Sequence, residues 1–130
     1  MKLNNQDQRP IYLQIQEGLE NAILAGTYAE ETQIPSTTEL SQAFQINPAT
    51  AGKGVNTLVD EGYCYKKRGI GIFVKKGARE MLKKKRQTAF KETYLSPLLK
   101  EARQLEISKE NLIRWIKEAD YADNTDNADN

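Results

Sequence analysis

Histidine is absent from this chain of 130 residues, cysteine occurs once, and no apolar run comes near the about 18 residues that a membrane-spanning helix needs. Each absence closes a class. Without histidine there is no imidazole acid/base chemistry, and a transition-metal site would need carboxylates and one thiol, for which no Cys/His spacing exists. Cys64 alone permits no internal disulfide, which agrees with a reducing compartment. The opening MKLNNQDQRP lacks the apolar core of a signal peptide. A cytoplasmic protein that does not engage membranes is the expectation. The carboxylates are scattered, and neither a nucleophile elbow nor a phosphate loop occurs. Gly69-Ile70-Gly71 is too short for a dinucleotide fingerprint. No enzyme and no cofactor are predicted.

What is present is charge, unevenly placed. Nineteen bases and 18 acids give a net charge of +1, yet residues 66–86 hold ten bases and one acid. The 65 residues before that window carry three bases against eight acids, and the 44 after it carry six against nine. A concentrated basic segment in an otherwise acidic chain points to a polyanionic partner or an anionic surface.

Pro10 sits at a helix start, and Tyr12, Ile15, Leu19, Ala22 and Ile23 recur at helical spacing until Gly26. Ser36 or Thr37 can cap a second, short helix with Glu39 in its first turn and Leu40, Ala43 and Phe44 inward. Asn47-Pro48 opens a third helix that buries Ala51, Val55, Leu58 and Val59 and ends at Gly62. Its opposite face is expected to show Thr50, Lys53, Gly54 and Thr57. Gly52 and Gly54 on that side imply either close approach of a partner to the backbone or simple tolerance within a well-packed helix. Tyr63–Lys66 and Ile72–Val74 read as strands of a hairpin whose basic tip turns at Gly69 or Gly71. Helix, helix, tight turn, helix and hairpin is the order of a winged helix-turn-helix.

The residues from PIYLQI at position 10 to GIFV ending at position 74 resemble the DNA-binding domain of GntR-type transcriptional regulators. Five motifs carry the resemblance: PIYxQI, the IPSxxEL entry to the second helix, NPxT at the start of the third, LxxEG at Leu58–Gly62, and the RGxGxFV wing. The short remainder is similar to the YtrA subfamily, whose members carry a small two-helix dimerisation unit. The expected fold is therefore α+β: a winged helix-turn-helix at 9–77, a C-terminal helical dimerisation region at 78–121, and a disordered acidic tail at 122–130.

The resemblance implies double-stranded DNA as partner. Contact positions carried over from it are Ser36, Thr37 and Thr38 at the second helix, and Asn47, Pro48, Ala49, Thr50, Gly52, Lys53 and Asn56 at the third. Lys67, Arg68, Gly69 and Gly71 complete them at the wing. Family members usually have arginine at Thr38 and often arginine or serine at Pro48 and Gly52; this chain has none of those arginines. Phosphate attraction would then come mainly from the wing and the start of the following helix, and base readout from Asn47, Thr50, Lys53 and Asn56.

Beyond the wing, Met81, Leu82, Phe90, Tyr94, Leu95, Leu98, Leu99, Ala102 and Leu105 form an apolar stripe on one helix or on two, interrupted near Ser96-Pro97. After a Ser108 cap, Leu112, Ile113 and Ile116 form a second stripe beside Trp115. Two copies pairing through Tyr94, Leu95, Leu98, Leu99, Ala102, Leu105, Leu112, Ile113 and Ile116 would bury both stripes, and folding back on the winged domain is the alternative. The expected function is a homodimeric repressor on a palindromic operator of its own or a transporter operon. The alternative is a winged module whose basic tip binds an acidic protein. No set of convergent polar residues marks a small-molecule effector. Cys64 is a buried thiol or a redox switch.

Overall fold

A computed structural model describes residues 1–4 and 6–128, with side chains as far as Ala119. The elements are α1 (Ile11–Leu24), α2 (Thr37–Phe44), α3 (Pro48–Asp60), β1 (Cys64–Lys67), β2 (Gly71–Val74), α4 (Ala78–Phe90), a π-helical turn (Lys91–Leu95), α5 (Ser96–Gln104) and α6 (Lys109–Ala128). They form two compact units, Met1–Arg86 and Gln87–Asn130.

The first unit is built on one apolar core. Ile15, Leu19 and Ile23 from α1 meet Leu40 from α2 and Ala51, Val55 and Leu58 from α3, all nearly without solvent contact. Tyr63, Cys64 and Val74 close the core from the hairpin, and Ala78 and Leu82 from α4. The sequence puts the domain boundary at residue 77; the compact unit ends at Arg86, because Ala78 and Leu82 complete its core. In α2, Leu40 is buried and Phe44 half-buried, but Ala43 is exposed, a correction to the expected inward trio.

Gly54 is the second correction. It is buried, and a Cβ there would lie 2.9 Å from the Tyr12 carbonyl oxygen and 2.9 Å from Ile15 Cγ2. The missing side chain is therefore what lets α3 approach α1. Gly52 is different: its nearest neighbour would be Thr37 Cγ2 at 3.7 Å, an ordinary contact.

The hairpin pairs antiparallel in the register Cys64 with Val74 through Lys67 with Gly71. The segment 31–34 runs beside β2 and bonds to it without forming a strand of the two-stranded sheet: Glu31 N–H donates to Val74 O, Val74 N–H to Thr32 O, and Ile34 N–H to Ile72 O, at 2.7, 2.9 and 2.9 Å. An isolated bridge pairs Gln33 with Phe73. A lone two-stranded hairpin is marginal in water, so this third partner is what stiffens the wing.

In the second unit, the chain does not break at Ser96-Pro97. One π-helical turn precedes the proline, and Ser96 N–H donates to Lys91 O. The widened turn accommodates a ring that lacks an N–H and would clash with the carbonyl four residues back. Ser108 caps α6, its hydroxyl accepting from Asn111 N–H at 3.1 Å. The backbone of α6 continues to Ala128, so the tail expected at 122–130 falls on residues whose side chains, and for 129 and 130 the whole residues, lie outside the described part. No helix among the described residues is long and apolar enough to cross a membrane.

Candidate nucleic-acid interface

The short second helix is set by its cap. Ser36 Oγ accepts from Glu39 N–H and Ser36 N–H donates to Glu39 Oε1, each at 3.0 Å, a reciprocal capping box. That backbone donor holds the Glu39 carboxyl below its usual range. The Ser36 hydroxyl is thus engaged at the cap, while Thr38 stands exposed in the first turn beside half-buried Thr37.

Gln45, left-handed at φ 54°, and Ile46 turn the chain into α3. Asn47 caps that helix: its Oδ1 accepts from Ala49 N–H at 2.7 Å, and Pro48 occupies the first helical position. One lone pair of its amide oxygen is thereby used, and the NH2 group and the second lone pair of Asn47 are left for a base edge. Asn47, Pro48, Ala49, Lys53 and Asn56 are exposed and Thr50 and Gly52 half-buried. Ala49, Gly52, Lys53 and Asn56 line a shallow groove with Thr57 and Asp60. The structure thus brings the α3 positions onto one accessible face.

Lys53 is the one base of α3, and its Nζ lies 4.0 Å from the centroid of the Tyr12 ring on α1. Cation and ring attract at that distance, so Lys53 is held at the edge of the α3 face rather than swinging freely. Sequence reading misses this contact, since spacing along one helix says nothing of the neighbour beneath it.

At the wing, Lys66, Lys67 and Arg68 are exposed and form no ion pair among the described residues. Gly69 takes φ 77° and Gly71 φ 152°, conformations open to glycine, and a Cβ on Gly71 would run into the Gln33 amide. Gln33 Nε2 donates to Ile70 O at 3.1 Å, so the tip is pinned from the side. Tyr65 and Phe73 stack with ring centroids 5.9 Å apart, and Lys67 Nζ sits 4.3 Å from the Phe73 ring. The Tyr65 hydroxyl donates to Glu31 Oε2 at 2.8 Å, which raises its pKa. Neither Gln33 nor Glu31 carries a motif that would have marked it.

Several bases of α4 have partners within the unit. Lys83 pairs with Glu80, Lys85 with Glu20 and Glu61, and Arg86 with Glu20, while Arg79 Nε donates to the Leu24 carbonyl. Four of the ten bases of the window are therefore occupied within the unit, and Lys75, Lys76 and Lys84 join the three wing bases in forming no ion pair among the described residues. Cys64 is 2% exposed, and burial pushes its thiol up to about 11, so it matches the buried alternative and not a redox switch. No His, Cys, Asp or Glu cluster suited to a metal occurs among the described residues.

In the second unit, Tyr94, Leu95, Leu98, Leu99, Leu105, Ile113 and Ile116 are all exposed, with Phe90 and Trp115. Leu112 is half-buried. Ala102 departs from the expected set: at 5% exposure it is covered within its own chain, and its carbonyl accepts from Ile107 N–H at 2.9 Å where the chain turns out of α5.

The model of the bacterial regulatory proteins, gntR family, matches residues 11–74. The HTH-type transcriptional repressor YtrA of Bacillus subtilis (strain 168) is 30% identical over 118 residues, 91% of this chain and 90% of that protein. Two longer relatives from the same organism match as well, and the chain spans 30% and 33% of their lengths. Among solved structures, a GntR family transcriptional regulator from Listeria monocytogenes superposes with a TM-score of 0.73 at 30% identity, over 87% of this chain and 97% of that one. The DNA-binding domain of AraR in complex with operator ORE1 superposes with a TM-score of 0.50 at 32% identity, over 56% and 89% of the two chains.

Proposed function

This chain belongs to the gntR family of bacterial regulatory proteins and is a DNA-binding transcriptional regulator, and we propose that it acts in the cytoplasm as a homodimeric repressor on a palindromic operator. The observation that carries the DNA-binding mode is the pairing of an accessible α3 face with a stiffened wing whose three bases have no ion pair among the described residues. In this mode α3 enters the major groove, with Thr50, Lys53, Asn56 and the Asn47 amide group at base edges. Thr38 and the wing residues Lys67, Arg68, Gly69 and Gly71 lie along the flanking phosphates. The backbone of Gly52, with Pro48 and Ala49 beside it, offers a surface without side-chain bulk for close approach.

Dimerisation through the second unit is supported by its row of exposed apolar side chains, which a lone copy leaves in water. A two-fold dimer presents two α3 helices and so reads an inverted repeat. Repression, of its own or a transporter operon, is supported by the name of the YtrA relative, which spans nearly the same length. In vitro selection from a random duplex pool tests the proposal. Enrichment of inverted repeats bound by two chains per duplex is expected; enrichment of single half-sites, or of nothing, rejects the dimeric mode.

A further inference from the structure

One acid of α1 is treated differently from the rest. Glu20 is 4% exposed, and it is the one acidic or basic side chain buried among the described residues. Its carboxylate is enclosed by donors: Lys85 Nζ lies 3.1 Å from Oε2, an Arg86 guanidinium nitrogen 3.1 Å from Oε1, and Gln16 Nε2 donates to Oε2 at 3.2 Å. Lys85 also reaches Glu61 Oε1 at 3.1 Å, and Gln16 reaches Glu61 Oε2 at 3.2 Å. One network thus ties α1, the end of α3 and α4.

The position of the two cations matters. Successive residues of an α-helix point about 100° apart around its axis. Lys85 and Arg86 can therefore both reach one carboxylate only over a narrow range of rotation of α4. Ala78 and Leu82, buried on α4, fix depth but are non-directional, and Arg79, bound to the Leu24 carbonyl, anchors the first turn only; over the last turn of α4 in this unit the directional contacts are those of Lys85 and Arg86. The ion pairs also lie at Lys85 and Arg86, the last residues of the first compact unit, immediately before the chain passes into the second.

We propose that Glu20 is a positioning residue for operator recognition: by gripping Lys85 and Arg86 it sets the rotation and direction with which α4 leaves the winged unit, and through them the half-site spacing that the dimer accepts. This rests on the reading that two copies, joined through the C-terminal region, bind one duplex. Glu20 touches no DNA in this role.

The test uses the full chain as wild type, as Glu20→Gln, and as Lys85→Met/Arg86→Met. The double variant changes only half-exposed side chains and keeps the inference testable if the buried substitution disturbs α1. Hydrogen exchange without DNA comes first. Amides of residues 82–90 are expected to exchange at least tenfold faster in both variants, with α2 and α3 unchanged; unaltered exchange overturns the inference. Binding is then measured on the selected operator, on versions lengthened or shortened by one and two base pairs between half-sites, and on a lone half-site. Wild type is expected to lose at least tenfold for each base pair, and the variants less than threefold, with lone half-site affinity equal for all. A wild-type spacing profile in the variants, or a parallel loss on the half-site, overturns the inference while leaving the regulator reading intact. If wild type selects no duplex, the regulator reading fails and the positioning role fails with it.

Discussion

Gly52 and Gly54 lie two residues apart on one helix and are not equivalent. Positions i and i+2 differ by about 200° around an α-helix, so the two cannot share a face. The apolar series Ala51, Val55 and Leu58 already contains that information, since Gly54 stands three residues after Ala51 and next to Val55. What the series lacks is the height of the opposing surface, here the Tyr12 carbonyl, a backbone atom that cannot rotate away. Gly54→Ala is expected to destabilise the protein by about 1–3 kcal/mol, the usual range for forcing a methyl into a filled contact. Gly52→Ala has room beside Thr37 and should be stabilising by up to about 1 kcal/mol, the helix-propensity difference. Urea titrations of both variants check the opposite signs. The single cysteine, legible only as two alternatives, is decided by burial that no local pattern could have supplied.

The elements themselves are well written in the sequence because their ends are chemically marked. Ser36 with Glu39, Asn47 with Pro48, and Ser108 each announce a helix start, and each is found capping one. Replacing Ser36 with alanine removes half of the reciprocal cap and is expected to lower stability by about 1 kcal/mol, read from the shift in urea midpoint at unchanged slope. The wing is legible as a hairpin from its glycines and alternation, but its bracing by a neighbouring segment is not. The bracing segment, residues 31–34, has no strand-like run and is held by backbone hydrogen bonds that only the fold brings together. Pro97 misleads in the other direction, because one π-helical turn carries the helix across it. Lys85 and Arg86 are legible as charge, but their shared acidic partner on α1, Glu20, lies 65 and 66 residues earlier in the chain, beyond any local pattern.

At the scale of the whole molecule, a nearly neutral chain separates its charge, and uses part of it internally. Lys85 and Arg86 hold Glu20, Lys83 holds Glu80, and the wing bases are left to face outward. The second unit leaves a different surplus, an apolar row that a second copy would cover. Leu98→Glu, at a position 44% exposed in the single chain, should fold normally yet weaken the dimer roughly thirtyfold or more if it lies at the centre of that contact. Sedimentation over a concentration series reads the shift, and an unchanged association constant would place the dimer contact elsewhere.

The central claim is that a DNA regulator binds with its wing on phosphates. Retention of genomic duplexes, including the chain's own upstream region, across a salt series for wild type and Lys67→Ala/Arg68→Ala tests it most directly. Steep, sequence-selective binding is expected for wild type, with the variant's slope of log affinity against log salt reduced by about two, one for each lost phosphate contact. Wild type showing no preference for any duplex even at low salt would contradict the account and leave the basic wing to an acidic protein partner.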